Sequence, residues 1–279
     1  MEKKKDVEKL LSIIKNSENY RDQIKHIEQI PFRKPEFASN IDDLNLHFSI
    51  RGFLASRNIS LYVHQYEAIK TLKSGKNMII TSSTSSGKTL IYLLTILNEI
   101  LNNPRSTAIL LFPRKALSRD QLQKFYDVIE AVGLKKSIIS IYDGDTPPDQ
   151  KEFALSNANI IITNPYGFHQ YLKWHSKWGR IFRNLKYFII DEVHMYRGIF
   201  GSNVAFLLRR FNRIMEGYFA TYTYGMFSAT IGNPLELAQN LIGRSVQLIN
   251  FDTSGQRAKN LIIWEPPFIE GSDYYLSLK

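Results

Sequence analysis

The chain has no cysteine among its 279 residues. This absence excludes disulfide bonds, thiol nucleophiles and cysteine-ligated metal sites within the chain. Histidine is also sparse, and its six scattered occurrences show no spacing of the HExxH kind. A zinc centre built from these residues is therefore not expected.

Long apolar runs are missing as well. No stretch approaches the roughly 18 uninterrupted apolar residues that a membrane-spanning helix needs. The N-terminal sequence MEKKKDVEKL leads into a charged amphipathic pattern and lacks the apolar centre of a signal peptide. We therefore expect a soluble, intracellular protein without a membrane partner.

Acidic residues are fewer than basic ones: the chain has 26 Asp and Glu and 36 Lys and Arg, which gives a net charge of +10. A positive field attracts polyanions, and nucleic acid suits it better than an anionic membrane surface does. Charge alone does not separate such a partner from an ordinary solvated basic face. The apolar fraction of 44% is ordinary for a globular protein, so the chain can bury one large core or two modest ones.

The pattern of apolar residues divides the chain into three parts. Residues 1–60 predict a helical N-terminal accessory segment, because apolar positions follow helical spacing until the two prolines of IPFRKPEF. Residues 61–262 alternate apolar strand candidates with helix-length segments, which predicts an α/β fold with a doubly wound, mostly parallel sheet. Residues 263–279 read as a linker. The strand candidates are NMIIT, TAILLF, SIISIY, NIIIT, KYFIID, TYGMFSA and SVQLIN.

The stretch TSSTSSGKTL, residues 81–90, matches a phosphate-binding loop except that Ser82 stands where the first glycine belongs. It follows a strand candidate and opens a helix candidate, which is the context in which such loops bind phosphates. Backbone N–H groups and Lys88 would face the phosphates, and the Thr89 hydroxyl would ligate Mg²⁺. The alternative is a serine-rich turn that caps a core helix. The predicted nucleotide-binding residues of this loop are Ser85, Ser86, Gly87, Lys88 and Thr89.

A second acidic motif lies about a hundred residues later, where the apolar run YFII ends in DEVH, residues 191–194. Carboxylates at the end of a buried strand are costly unless they face a cation, and the Mg²⁺ of a nucleotide is the natural candidate. Asp191 would hold the metal, and Glu192 would orient and deprotonate the attacking water. An exposed turn with helix-capping acids is the alternative. We expect both motifs on successive strands of one sheet, which favours the nucleotide interpretation.

The chain resembles a known family from residue 61 to about 265. Gly87-Lys88-Thr89, DEVH and the SAT of MFSATIGNP have the order and spacing of the first RecA-like domain of superfamily 2 helicases, which are P-loop NTPases. The strings DEVHMYRGIFGSNVAFLLRRF, YDGDTP and TNPYGFHQYL resemble one branch, the Hrq/MrfA (YprA-like) DNA helicases with archaeal relatives such as SftH.

The resemblance assigns further roles. Gln65 of LYVHQ matches the motif that hydrogen-bonds the edge of the adenine base. His194, Ser228 and Thr230 match motifs that couple the nucleotide site to the bound nucleic acid. The loop FPRKALSRDQ resembles a motif that binds the phosphates of nucleic acid, although Arg114 stands in the place of the usual threonine. Without the resemblance, the Asp-Gly and Asn-Pro pairs of the other loops read as ordinary turns. The residues implied to bind nucleic acid are Arg114, Lys115, Gly144, Asp145, Thr146, Thr163 and Asn164.

The sequence leaves two interpretations open for Arg197 and for the tryptophans of LKWHSKW. Arg197 matches a fixed arginine of the family, and either a salt bridge or a DNA contact fits it. In LKWHSKW, Trp174 and Trp178 alternate with lysines and could stack on bases, but tryptophans four residues apart on a helix more often pack in a core.

The resemblance implies an ATP-binding motor domain of an ATP-dependent superfamily 2 DNA helicase with Mg²⁺ as cofactor. It implies 3′ to 5′ translocation, a role in DNA repair and a cytoplasmic, nucleoid-associated location. The DNA would be single-stranded or forked and held mainly by its backbone. A second RecA-like domain of the same full-length protein is expected, so this fragment alone should hydrolyse ATP weakly or not at all. The alternatives are an RNA helicase or remodeller motor, and a non-catalytic basic nucleic-acid-binding platform with a decayed P-loop.

Overall fold

The computed structural model describes residues 2–18, 20, 22–83 and 86–266. The chain divides into two compact units, one formed by the residues up to Pro35 together with those from Gly255, and the other by Glu36–Ser254. The first unit contains helix α1 (Glu2–Lys15) and strand β1 (Ile24–Ile30). Strand β1 pairs antiparallel with strand β9 (Lys259–Trp264), with Ile27 opposite Ile262.

The second unit is built on a seven-stranded parallel sheet, so the predicted fold class is confirmed. All seven strand candidates of the sequence occur in it: β2 (Met78–Thr81), β3 (Thr107–Leu111), β4 (Ile139–Ile141), β5 (Ile160–Thr163), β6 (Leu185–Ile190), β7 (Thr223–Ser228) and β8 (Gln247–Ile249). Their order across the sheet is β4-β5-β3-β6-β7-β2-β8.

Helices cover both faces of this sheet. They are α2 (Phe48–Ser56), α3 (Val63–Lys73), α4 (Lys88–Asn102), α5 (Lys115–Ala131), α6 (Pro148–Asn157), α7 (Pro165–Leu172), α8 (Gly179–Arg183), α9 (Gly198–Glu216) and α10 (Pro234–Ile242). Successive strand residues point to opposite faces, so Leu110 joins the core beneath α2 to α5 and Ile109 joins the core beneath α7 to α10. This double cover explains why the strand sequences are continuously apolar.

The parallel arrangement brings the carboxyl ends of all seven strands to one edge, called the carboxyl edge below. The loops after β2, β7 and β6 lie next to one another there, followed by the loops after β3, β5 and β4. One expectation needs correction, because the P-loop and DEVH strands are not successive in the sheet. Strand β7 lies between β2 and β6 and pairs with both.

The N-terminal 60 residues are not uniformly helical. Residues 24–30 form a strand because their partner is β9, more than two hundred residues away, which no local pattern signals. The larger compact unit also begins at Glu36, earlier than residue 61. Residues 267–279 of the predicted linker lie outside the described residues. Among the helices that the structure describes, none has the length and apolarity to cross a membrane.

Candidate functional site

The P-loop leads from the buried strand β2 into α4. Gly87 caps this helix with a left-handed backbone (φ 77°), a conformation that glycine adopts without steric cost. The hydroxyls of Ser82 and Ser86 lie 2.5 Å apart, so Ser82 makes a contact across the loop that a glycine could not make. The predicted phosphate ligand Ser85 lies outside the described residues.

Lys88 is held within the P-loop. Its Nζ donates hydrogen bonds to the carbonyl oxygens of Ser82 (2.9 Å) and Ser83 (2.6 Å). Burial lowers the pKa of Lys88, and the nearby carboxylates of Asp191, Glu192 and Asp252 oppose that shift. A cation that is partly desolvated and close to acids is suited to exchange its carbonyl partners for phosphate oxygens.

Asp191 is buried where β6 ends. The Tyr92 hydroxyl of α4 donates to its Oδ2 (3.1 Å), and the backbone N–H of Glu192 donates to its Oδ1 (2.9 Å). Burial, followed by the charge of Glu192, raises the pKa of Asp191 to about 6. Thr89, the other predicted metal ligand, lies on the same helix as Tyr92, three residues before it.

Glu192 has a left-handed backbone (φ 52°, ψ 46°), which is unusual for a residue other than glycine, asparagine or aspartate. Such strain is concentrated at functional sites, where the surrounding structure fixes the conformation. His194 Nδ1 lies 3.3 Å from Glu192 Oε2, and both side chains are about one-third exposed. The structure therefore places His194 beside the predicted catalytic carboxylate.

The SAT loop follows β7 and meets the P-loop. Thr81 of β2 is in register with Ser228, and the Ser82 N–H donates to the Ser228 carbonyl oxygen (3.3 Å). The buried Ser228 hydroxyl donates to the carbonyl oxygen of Ala229, whereas Thr230 is exposed. Of these two predicted coupling residues, Ser228 lies against the nucleotide loop and Thr230 faces solvent.

Gln65 braces the P-loop from α3. Its Nε2 donates to the carbonyl oxygens of Ser86 and Gly87, both at 3.2 Å, and its Oε1 accepts the N–H of Tyr62 at 3.0 Å. Both ends of the amide are therefore already hydrogen-bonded within the chain. The contact of Gln65 with adenine stays a prediction.

A second brace was not predicted from the sequence. Asp252 Oδ2 accepts the N–H of Ser83 (2.9 Å), and the Thr253 hydroxyl lies 2.9 Å from Nδ1 of His64, whose Nε2 lies 3.1 Å from the Ser86 carbonyl oxygen. We call residues 252–253 the β8 strap, because they follow β8 and connect to the start and the end of the P-loop. The sequence FDTSG signals only a turn, and its partner is set by the pairing of β8 with β2.

On the other half of the carboxyl edge, the predicted nucleic-acid loops contact one another. Lys115 Nζ lies 2.7 Å from Asp145 Oδ1, and Arg119 lies 3.4 Å from Asp145 Oδ2. This pairing raises the pKa of Lys115 and lowers that of Asp145. Arg114 and Gly144 are exposed beside the ion pair.

Three of the predicted nucleic-acid residues have their polar side-chain groups engaged within the protein. The Thr146 hydroxyl donates to Asp143 Oδ1 (3.0 Å), the Thr163 hydroxyl donates to the Tyr142 carbonyl oxygen (2.7 Å), and Asn164 Oδ1 accepts the N–H of Gly167 (2.9 Å). Thr163 and Asn164 are also buried. These two side chains therefore fix the shape of the loop, and their part in binding nucleic acid stays a prediction.

The tryptophan pair does not form a stacking platform. Trp178 is buried among aromatic side chains of the core, whereas Trp174 is 49% exposed with Lys173 Nζ 4.1 Å from its ring centroid. They do not share a helix face, because residues 175–178 form a short 3-10 helix. Arg197 is exposed at the start of α9.

Comparisons with known proteins identify the family. The DEAD/DEAH box helicase family matches residues 62–238. The ATP-dependent helicase hrq1 of Schizosaccharomyces pombe is 38% identical over 95% of this chain and 25% of its own length. The ATP-dependent helicase YprA of Bacillus subtilis is 36% identical over 96% of this chain and 35% of its own.

A solved structure agrees with these matches. The DUF1998 helicase MrfA bound to DNA and AMPPNP superposes with a TM-score of 0.86 and 34% identity, over 94% of this chain and 36% of MrfA. The chain thus spans about a quarter to a third of the relatives that it matches. The predicted RecA-like fold and the Hrq/MrfA resemblance are confirmed: this chain belongs to the DEAD/DEAH box helicase family, in the branch of hrq1, YprA and MrfA.

Proposed function

We propose that this chain is the ATP-binding motor domain of a superfamily 2 DNA helicase. The observation that carries the proposal is the meeting of the P-loop helix and the DEVH loop: Tyr92 of α4 donates a hydrogen bond to the buried carboxylate of Asp191, and that carboxylate acts electrostatically on the buried Lys88. A serine-rich cap and an exposed acidic turn would have no reason to bring a buried cation and a buried carboxylate together.

In the proposed site, the P-loop backbone and Lys88 bind the phosphates. A Mg²⁺ ion would neutralise phosphate charge and would be held by the Thr89 hydroxyl and the Asp191 carboxylate. This donor set fits, because Mg²⁺ usually takes one or two carboxylates and completes its shell with phosphate oxygens and water.

Glu192 is the proposed general base. Its carboxylate is partly exposed at the carboxyl edge and would accept a proton from the attacking water. His194, beside that carboxylate, and Ser228, against the P-loop, would transmit the state of the site to the neighbouring loops. Thr230, exposed after β7, would extend this coupling to the nucleic-acid side.

Single-stranded or forked DNA would lie along the exposed loops after β3 and β4, which carry Arg114, Lys115 and Gly144. The net charge of +10 and the DNA in the MrfA structure support this partner. The whole protein would add a second RecA-like domain beyond a linker and would move 3′ to 5′ in DNA repair, near the nucleoid. We keep residues 61–262 as the proposed ATP-binding domain.

The proposal is tested by calorimetric titration of the chain with Mg-ADP and a slowly hydrolysed ATP analogue. Lys88→Ala should reduce affinity at least a hundredfold, because the phosphates lose their buried cation, whereas Glu192→Gln should bind like the wild type. Exposed Lys135→Ala is the control for charge. Equal binding by Lys88→Ala and wild type would contradict the proposed site, and absence of binding by the wild type would favour the non-catalytic platform.

A paired titration of the wild type with DNA and RNA oligonucleotides of one sequence separates the two motor interpretations. Tighter binding of DNA is expected. A clear preference for RNA would replace the DNA helicase with an RNA helicase or remodeller that uses the same nucleotide site.

A further inference from the structure

A groove between α7 and α9 is not used by the proposed nucleotide site. We call it the α7–α9 groove; its lining includes Tyr166, His169, Phe200, Phe206, Arg210 and Arg213. Arg210 and Arg213 continue into a second depression, which Lys173 and His175 complete at the far end of α7. The two depressions form one path, because they share these two arginines.

The groove exposes aromatic rings to solvent. Tyr166 is 71% exposed and Phe206 is 70% exposed, although side chains of this size are ordinarily buried. Phe200 also lines the groove and stacks on the ring of Tyr196 (centroids 5.5 Å apart). Adjacent exposed rings of this kind indicate a surface that binds another molecule.

The charge of the groove has one sign. Arginine and histidine line the groove, lysine and histidine join the arginines in the second depression, and the described residues that line the two include no aspartate or glutamate. Within the described part of the chain, the side chains of Arg210 and Arg213 make no hydrogen bond or ion pair with another residue, although both residues belong to α9. Two arginines without a carboxylate partner, set among exposed rings, are complementary to an occupant that carries both phosphate groups and flat apolar faces.

The position of the groove points to the same occupant. Tyr166 follows Asn164 and Pro165 directly, so the groove begins at the carboxyl edge beside the loops proposed to contact DNA. It then runs along α7 for about 12 Å, the length of an eight-residue helix. At its far end the exposed Trp174 lies next to Lys173.

We propose that the α7–α9 groove binds single-stranded DNA, with bases stacked on Tyr166 and Phe206 and phosphates held by Arg210 and Arg213. The inference rests on the proposed function and extends its DNA path from the carboxyl edge onto the side of the domain. It also assigns DNA binding to the first part of the LKWHSKW motif. Lys173 and Trp174 continue the proposed DNA path, whereas Trp178 packs in the core.

The stacking is tested by fluorescence anisotropy with labelled oligodeoxythymidylate at low salt, using this chain. Tyr166→Ala and Phe206→Ala should each weaken binding about tenfold, since an aromatic ring under a base is worth that order of affinity. Phe219→Ala is the matched control, because Phe219 is 93% exposed but lies outside the groove, and it should leave the affinity unchanged.

The phosphate contacts are tested by the salt dependence of the same binding. Arg210→Gln and Arg213→Gln should each reduce the slope of log affinity against log salt by about 0.7, the value for one phosphate contact on a single strand. Arg57→Gln, an exposed arginine after α2 on the opposite face of the sheet, should leave the slope unchanged.

The outcomes separate this inference from the proposed function. If the wild type binds DNA and the groove variants bind equally well, the inference is wrong and the proposed function stands. If the wild type does not bind single-stranded DNA at all, the DNA part of both fails. If the substitutions weaken binding of an RNA oligonucleotide and spare DNA, the assignment to DNA is overturned. Nucleotide titrations should be unchanged in every groove variant.

Discussion

The two halves of the carboxyl edge are built differently. After β2 and β6, Lys88 and Asp191 are buried and are held by short hydrogen bonds, from Lys88 to the Ser82 carbonyl oxygen and from the Tyr92 hydroxyl to Asp191. After β3 and β4, Lys115 and Arg119 have largely exposed side chains and form a solvent-facing ion pair with Asp145.

This contrast indicates how each half works. The buried residues of the nucleotide site have little conformational freedom. Their specificity for phosphates therefore comes from hydrogen-bond donors that are already in position and from ionisable groups whose pKa values burial has shifted. An exposed basic loop provides attraction that salt screens and that tolerates many sequences. Substitutions should therefore have large, specific effects on the first half and small, salt-dependent effects on the second.

After the loss of Lys88, the largest effect on nucleotide binding is expected at the β8 strap. Asp252→Ala removes the acceptor of the Ser83 N–H and should weaken Mg-ADP binding about tenfold to a hundredfold, because hydrogen bonds to a charged group contribute roughly 1.5–3 kcal/mol. Hydrogen exchange of residues 82–87 without nucleotide should rise as well. Exposed Asp127→Ala is the control.

Thr253 offers a matched pair for the same strap. Thr253→Val loses the hydroxyl that contacts His64, and Thr253→Ser keeps it, so only the valine variant should weaken nucleotide binding. Equal affinities for the two variants would show that the strap does not position the P-loop.

A smaller effect is expected in the stability of the protein without nucleotide. Since the pKa of Asp191 is about 6 in the fold against 3.8 in the unfolded chain, the folded state holds a proton that the unfolded state has lost between these pH values. The free energy of unfolding therefore falls as pH rises from about 4 to about 6. Asp191→Asn avoids this loss and should be more stable than the wild type at pH 8 by on the order of 1–3 kcal/mol.

Denaturant titrations at pH 4 and pH 8 measure this difference. The two proteins should have similar stability at pH 4, and the advantage of the Asn variant should be greatest at pH 8. An advantage of the same size at both pH values would argue against a raised pKa at Asp191.

The smallest effect is expected on the exposed half. Asp145→Asn releases Lys115 and Arg119 from their ion pair and should tighten binding of single-stranded DNA a few-fold, with a steeper salt dependence and an unchanged melting temperature. Asp149→Asn serves as the control, because this nearby acid is exposed and forms no ion pair with the residues that the structure describes. Weaker binding of DNA by Asp145→Asn would instead indicate that the ion pair orders the loop for binding.

Local sequence patterns predict most of the sheet and the buried half of the site. The seven strand candidates are apolar because helices cover both faces, and the residues after Ile80 and Ile190 carry motifs whose chemistry depends on strand ends. Features that depend on pairing between strands far apart in the sequence are not predicted by local patterns. The β8 strap depends on the pairing of β8 with β2, and β1 depends on β9, so neither has a local signal.

Exposure is the other property that local sequence does not determine. Trp174 and Trp178 look equivalent in LKWHSKW, yet one is exposed and the other is buried, because a short 3-10 helix breaks the helical spacing between them. Thr163 and Asn164 look like loop contacts, yet the Thr163 hydroxyl and the Asn164 side-chain oxygen are hydrogen-bonded inside the fold. Only the tertiary structure separates such pairs.

The lengths of the outermost strands bear on how the protein behaves at high concentration. The seven-stranded sheet ends in β4 on one side and β8 on the other, and each is only three residues long. A short edge strand presents few unpaired backbone N–H and C=O groups to a strand from another molecule. Pairing of edge strands between molecules is a common route to aggregation. The shortness of its two edge strands thus helps to protect the sheet from growing sideways into fibrils.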